Sequence, residues 1–523
     1  MEGSSVTMTN SNRSSFHNEE ILGNNFASAT LTKANDEEVA VMVGIDERGE
    51  HRRVKPFLYL VVGIVSMCGL LYGLDLGSVG ATFVMDGFRQ HVNWDCSSAS
   101  DNCESTADRD KGLISFFFGI GATIGSLVNP YFAERYGRRP SLALSTLIYA
   151  FGSAIQTFAP SMQLLWTGRF FLGTGIGMLS MVAPVYVAEV APDRVRGSMG
   201  ILYDLSTALG IVTGSAASIG LKEWQNGWRI SYEVGLPFAL LLLLTLALKV
   251  VPESPRWLAA QGPEQDLVLT LKLLRFEEEL ESETETLHKE VQELREIGEA
   301  SWPEVFSTNN MMRRRVMLGV FFFAIQQLSG VAAVLFYAPD VLNTFFEEDQ
   351  AILGTLALTV LGFLSTTATV VAVDRLGRTK LLVYGGAIMF LCLVPLAVLA
   401  SLEQSEWVGW AVLVLSGIFI VSSFISWGPA LYVLCSEMFP YRTRGKANGV
   451  TSMSHWLFAS VVGAVFPIAS SASLSGCFIF FAICIFSGTS AVYFLQVETT
   501  GKTFAEIDEA FLQHKPTFKR KDW

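Results

Sequence analysis

The stretch ERYGRRPSLA at 134–143 returns 240 residues later as DRLGRTKLLV at 374–383, and EVAPDRVRGS at 189–198 returns 248 residues later as EMFPYRTRGK at 437–446. Each copy sets an acid beside an Arg-rich turn that carries a glycine. Two nearly equal offsets mean that one half of the chain repeats the other. Around these motifs lie apolar runs of about 20 residues, the length that crosses the hydrocarbon core of a bilayer. They fall at 57–80, 112–133, 141–160, 164–187, 198–221 and 230–250, then at 315–340, 351–373, 380–401, 407–434, 448–470 and 476–497. The expectation is an all-α integral membrane protein with 12 transmembrane helices in two six-helix bundles, 56–250 and 315–497. A helical linker, 251–314, joins them; within it 263–300 holds twelve acids against four bases and reads as solvent-facing helix.

Composition agrees with lipid exposure. Charged residues are 16% of the 523 and apolar residues 50%, where a soluble domain carries about 25% charge. The net charge of −12 lacks the basic footprint that nucleic acid requires. No nucleophile–base set, phosphate-binding Gly-rich loop or Cys/His metal spacing stands out, so no enzyme activity, metal or other cofactor is expected. Residues 1–55 are polar, rich in Ser and Asn and without an apolar signal core, and read as a disordered tail.

Short-loop Lys and Arg set the orientation. Arg135, Arg138, Arg139, Arg194 and Arg196 in the first half, and Arg375, Arg378, Lys380, Arg442, Arg444 and Lys446 in the second, share one face. That face, the linker, the N-terminal tail and the C-terminal tail 498–523 are expected in the cytosol. The paired motifs suit a cytosolic gate built of Glu134, Arg138, Glu189, Arg196, Asp374, Arg378, Glu437 and Arg444. Carboxylate–guanidinium forks between neighbouring helices hold a face shut and release when bundles rock. The alternative is that these charges only set topology.

Four ionisable residues fall inside spans, where a charge costs several kcal/mol and marks function: Asp75, Arg169, Asp204 and His455. Arg169 either partners Asp75 or anchors its span at the interface. His455 titrates near neutrality or is held by structural hydrogen bonds. Cys96 and Cys103, in the first extracytosolic loop, can close a small disulfide, with Cys477 as another partner and free thiols as the alternative. Cys68, Cys392, Cys435 and Cys484 read as small core residues. The sequon at Asn12 lies in the cytosolic tail.

In order along 57–510 the chain carries ERYGRRP (134–140), GRFFLGTGIG (168–177), PVYVAEVAPDRVRG (184–197), VPESPRWL (251–258), QQLSG (326–330), DRLGRT (374–379), SEMFPYRTRGKA (436–447) and VETTGKTF (497–504). In these it resembles the sugar porter family of the major facilitator superfamily. The resemblance implies the major facilitator fold and alternating-access transport of a monosaccharide or polyol, by proton symport or by facilitated uniport. Its expected partners are a small-molecule sugar, the proton and membrane lipid. It implies a pocket lined by Gln326 and Gln327, whose amides both donate and accept, by Trp427 in ISWGP, and by an aromatic gate at Phe336 and Tyr337, with core packing as the other reading of Phe336. Interhelical packing is the other reading of the two glutamines. The resemblance also implies Asp75, in YGLDLGSVG, as the proton site with Arg169 as its partner.

Departures from the family pattern concentrate in the pocket. Val331–Ala332 follows QQLSG where the family has Ile-Asn, Gly362 replaces an Asn of the eighth span, and Asp204 replaces a Gln of the fifth. His455–Trp456 stands in the eleventh span where Asn or Gln precedes Trp, and Tyr432 takes a second tryptophan position of the tenth. Expected substrate contacts are therefore Gln326, Gln327, Trp427, Asp204, Tyr337, His455 and Trp456, with a preference unlike that of a typical hexose porter. A non-transporting sugar sensor would share the scaffold, but the short tail after 497 speaks against one. The plasma membrane is the expected location, and a vacuolar or other internal membrane the alternative.

Overall fold

The computed structural model describes residues 54–94, 101–192, 195–298, 300–403, 405–440, 442–500, 502 and 504–513. Among them there are helices and no strands. Cys96 and the side chains of Cys103, Phe336 and Asp374 lie outside the described residues, as do positions 1–53.

The first six spans are α1 (Pro56–Val84), α2 (Asp101–Tyr136), α3 (Arg138–Thr157), α4 (Met162–Val190), α5 (Arg196–Leu221) and α6 (Gly227–Ala247). The second six are α7 (Met312–Leu335), α8 (Glu348–Leu376), α9 (Arg378–Leu399), α10 (Glu406–Met438), α11 (444–472) and α12 (474–495). Nine helices among the described residues are long and apolar enough to cross a bilayer. One of them, Arg444–Leu495, is 52 residues long and breaks at Ser473, so it holds two spans. α3 and α5 complete the twelve.

α3 is the more polar because it buries Ser141, Ser145, Thr146, Ser153, Gln156 and Thr157. Its hydroxyls return to its own backbone: Ser145 Oγ donates to the Ser141 carbonyl at 2.6 Å and Thr146 Oγ1 to that of Leu142 at 2.7 Å. Polar groups satisfied in this way can be buried between helices.

Close helix packing rests on small residues. A Cβ on Gly73 of α1 would lie 2.0 Å from the Thr207 carbonyl of α5, and one on Gly177 of α4 would lie 2.1 Å from the Ala122 carbonyl of α2. Both belong to four-residue glycine steps that let backbones touch.

Two spans are broken where the sequence suggested continuous helix. α7 stops after Leu328, passes through Gly330 at φ +84°, and resumes at Val331. α10 breaks between Ile425 and Pro429, because proline has no N–H to carry the ladder onward. Both breaks sit beside the polar residues of the central chamber. In the other direction, helix runs from α11 into α12 with only the Ser473 kink, where a loop was expected.

Helices Pro255–Gln261, Glu264–Leu274 and Glu277–Ile297 form the linker. They share a small core of Leu258, Leu267 and Leu271. Trp257 Nε1 ties that core to the end of α2 by donating to the Glu134 carbonyl at 2.9 Å. Glu304 and Lys446, through Arg442 and the Ala300 carbonyl, tie its other end to the start of α11. These helices mark one membrane face, the linker face.

Candidate functional site

At the linker face the repeat is visible in three dimensions. Arg138 at the start of α3 forks onto Glu189 at the end of α4, Nε to Oε2 at 2.8 Å and Nη2 to Oε1 at 2.7 Å. Arg378 at the start of α9 donates to Glu437 at the end of α10 at 3.2 Å. Beneath each arginine a second carboxylate caps the helix. Glu253 accepts from the backbone N–H of Arg138 and Arg139, and Glu498 from those of Arg378 and Thr379. The preceding glycines have matching positive φ, +101° at Gly137 and +83° at Gly377. A Cβ on Gly137 would stand 2.3 Å from Glu253 Oε2. Glycine is required there twice over, by conformation and by space.

Of the other expected gate residues, Arg444 donates to the Phe439 carbonyl at 3.2 and 3.3 Å. Both of the Arg–Glu pairs, Arg138–Glu189 and Arg378–Glu437, stay within one set of six spans. The starts of α5 and α11 front open space, for a Cβ on Gly200, Gly445 or Gly449 would meet nothing within 4 Å.

The opposite face is sealed between the two sets. Lys111 of α2 pairs with Asp340 after α7 at 3.0 Å, and Lys222 after α5 pairs with Asp349 of α8. Tyr337 donates its hydroxyl to the Gly463 carbonyl of α11 at 3.0 Å and accepts from Ser115 of α2 at 3.0 Å. Ser460 Oγ of α11 reaches the Phe116 carbonyl at 3.0 Å. Tyr337 thus belongs to this closure rather than to the chamber wall.

The chamber lies between these faces. Nδ1 of His455 has Gln326 Oε1 at 3.0 Å, Gln327 Nε2 at 2.9 Å and the Tyr432 hydroxyl at 3.2 Å. Gln327 Nε2 is also 3.3 Å from His455 Nε2. A neutral imidazole protonated at Nδ1 satisfies both amides, donating to Gln326 and accepting from Gln327 at Nε2. Around this hub, Trp456 meets His455 edge-on at 5.1 Å, Tyr72 meets Trp456 at 5.3 Å, and Phe323 meets Tyr432 at 4.8 Å. Asp204 of α5 is half-buried and lies within electrostatic range of Tyr432.

Trp427 stands elsewhere, correcting the expectation that its ring lines the chamber. Its indole is fully buried and donates to the Leu382 carbonyl of α9 at 2.9 Å, while its own carbonyl accepts from Gln326 Nε2 at 2.7 Å. The chain break before Pro429 turns the ring outward toward α9 and α12. The indole at the chamber is that of Trp456. Tyr72, Phe118 and Phe323 also join the chamber, and nothing about their neighbours in the chain sets them apart among 37 phenylalanines and 13 tyrosines.

One shell away is a fully buried ion pair. Arg169 Nη1 of α4 lies 2.5 Å from Asp75 Oδ1 of α1. The guanidinium sits over the Phe118 ring at 4.7 Å, and that ring stacks on Tyr72 at 6.5 Å and meets Trp456 at 6.1 Å. Phe118 thus bridges the pair to the chamber. Cys68, Cys392, Cys435 and Cys484 are buried free thiols, and so is Cys477, which removes it as a disulfide partner.

Twelve spans in a doubled arrangement, sealed on one face around a polar and aromatic chamber, define a membrane transporter of the major facilitator fold. Residues 61–511 match the family described as sugar (and other) transporter, and the chain belongs to that family. It is a multi-pass integral membrane protein and not an enzyme. It is 27% identical to the hexose transporter HXT10 of Saccharomyces cerevisiae over 525 residues, which cover 96% of this chain and 95% of that one. To sugar transport protein 7 of Arabidopsis thaliana it is 30% identical over 489 residues, 90% of this chain and 93% of that one. In fold it is similar to the proton:xylose symporter XylE of E. coli, solved with 6-bromo-6-deoxy-D-glucose, at a TM-score of 0.72 and 23% identity over 87% of this chain and 99% of that one.

Proposed function

We propose that the protein carries a monosaccharide or a related polyol across the membrane by alternating access, driven by a co-transported proton. The bundles 56–250 and 315–497 rock about the chamber, with both termini and the linker in the cytosol. Gln326, Gln327, His455 and Trp456 contact the sugar, the amides through hydroxyls and the indole through the apolar face of the ring. The relatives named for hexose, sugar and proton:xylose transport support this substrate class.

The observation that carries the coupling is the buried Asp75–Arg169 pair and its bridge to the chamber through Phe118. With the pair formed, α1 and α4 are tied together. Protonation of Asp75 removes the carboxylate's charge, loosens the tie and lets that half adjust around the sugar. Arg138–Glu189 and Arg378–Glu437, each formed within one set of six, brace the cytosolic end of that set as it rocks. The test is uptake against a sugar gradient in proteoliposomes, with and without an inward proton gradient, wild type beside Asp75→Asn. Wild type should accumulate sugar only with the gradient, and Asp75→Asn should bind and exchange sugar without accumulating it. A wild type that only equilibrates sugar would make the protein a uniporter.

A further inference from the structure

We propose that Asp204 is a second proton-binding group, one that reads the sugar itself, so that substrate binds together with a proton on this carboxyl. The proposal rests on the chamber being the sugar site. Among the described residues, the side chain of Asp204 makes no hydrogen bond and no ion pair. The other membrane acids of the site are engaged, Asp75 by Arg169 and Glu189 by Arg138.

Asp204 is nevertheless half-buried on α5. Its neighbour Tyr203 is within electrostatic range of Cys68 and Tyr72 on α1 and of Tyr432 on α10, and Asp204 is within the same range of Tyr432. Beyond Tyr432 stands His455, claimed by Gln326 and Gln327. The other helices packed against α5 direct their charges away. On α4, Arg169 is spent on Asp75 and Glu189 on Arg138; on α6, Arg229 goes to the Ala159 carbonyl; on α8, Asp349 goes to Lys222. Among the described residues, no cation pairs with the carboxylate.

A half-buried carboxylate without a partner has lost part of its hydration, and two things relieve that cost, a proton or a ligand that donates to it. A carboxylic acid offers one donor and one acceptor, as a glutamine amide does, whereas the carboxylate only accepts. A sugar hydroxyl both donates and accepts, so the protonated form matches two neighbouring hydroxyls in the way an amide would. The proton comes from the solution that fills the open side of the chamber, forms an O–H bond on Asp204, and returns to solution when sugar leaves. By linkage, proton and sugar each strengthen the other's binding by the same factor.

The experiment is equilibrium binding of D-xylose and D-glucose to purified full-length protein across mildly acidic to mildly alkaline buffers. Wild type should lose affinity as pH rises, approaching about tenfold per pH unit, the limit for one linked proton. Asp204→Asn fixes the donor–acceptor form and should bind at the acid-form affinity throughout; Asp204→Ala should bind weakly throughout. Asp75→Asn removes the coupling carboxyl but leaves Asp204, and should still lose sugar affinity as pH rises. A pH dependence that survives in Asp204→Asn, or that vanishes in Asp75→Asn instead, overturns the proposal. Gln327→Ala separates the two readings: weakened binding keeps the chamber as the sugar site whatever Asp204 does, and unchanged binding removes the chamber and this proposal with it.

Discussion

Three side chains converge within 3.2 Å of one ring nitrogen, Nδ1 of His455. If that hub holds the substrate, Gln327→Ala should weaken sugar binding about ten- to a hundredfold, the result of leaving a buried partner unsatisfied at roughly 1–3 kcal/mol. Calorimetry on folded, monodisperse mutant protein checks this, and unchanged affinity returns both glutamines to a packing role. The Asp75–Arg169 pair predicts an asymmetry. Arg169→Ala strands a buried carboxylate and should destabilise by about 3–5 kcal/mol, more than Asp75→Asn, which keeps a hydrogen-bonding group against the guanidinium. Thermal unfolding in detergent compares them, and equal losses would argue against a charged pair. The polar hub was legible in sequence because Gln326, Gln327 and His455 stand out within apolar runs. The orientation of Trp427 was not, since it depends on how the chain turns at the break before Pro429.

Among the elements, the two caps under α3 and α9 are the clearest product of the duplication. PESP and VETT stand out as motifs, yet their spacing does not place the carboxylates of Glu253 and Glu498 at the gate, because sequence alone does not show a loop folding back over 100 residues to a helix start. Burial pushes the Glu253 carboxyl above its ordinary value, against the backbone N–H groups of Ser254, Arg138 and Arg139 and the charge of Arg138, which pull it down. A glutamate raised in the folded protein holds its proton to a higher pH than in the unfolded chain. Its contribution to stability is present below the ordinary value of 4.5 and is lost as pH rises through the raised one. Relative to Glu253→Gln, wild type should therefore lose melting temperature as pH rises from about 4.5 toward neutrality; parallel melting curves would contradict this. On the sealed face, the half-exposed Lys111–Asp340 pair is worth at most about 1 kcal/mol. Lys111→Met should shift the balance toward the form open on that side by no more than about fivefold, read as faster alkylation of a cysteine placed at Ser460. Unaltered labelling would mean that Tyr337, Ser115 and the α2–α11 contact hold the seal alone.

At the scale of the whole molecule, span number, the two sets of six and the linker were legible because lipid imposes one length on every crossing and duplication repeats the charged turns. Span ends were less so: α2 begins at Asp101, well before the apolar run at 112, since helix continues beyond the hydrocarbon where nothing interrupts it. The structure holds one face shut by contacts between the two sets of six, while the Arg138–Glu189 and Arg378–Glu437 pairs at the linker face stay within each set. That asymmetry is what a rocking carrier shows at one end of its cycle. The central claim is that this cycle moves a proton with each sugar. It is tested most directly by electrical recording from proteoliposomes fused to a supported membrane, with sugar added at equal pH on both sides. A proton carried with neutral sugar moves charge, so wild type should give a sustained sugar-evoked current that reverses with an opposing proton gradient, and Asp75→Asn should give none. Sugar that equilibrates across wild-type membranes with no current would contradict the account.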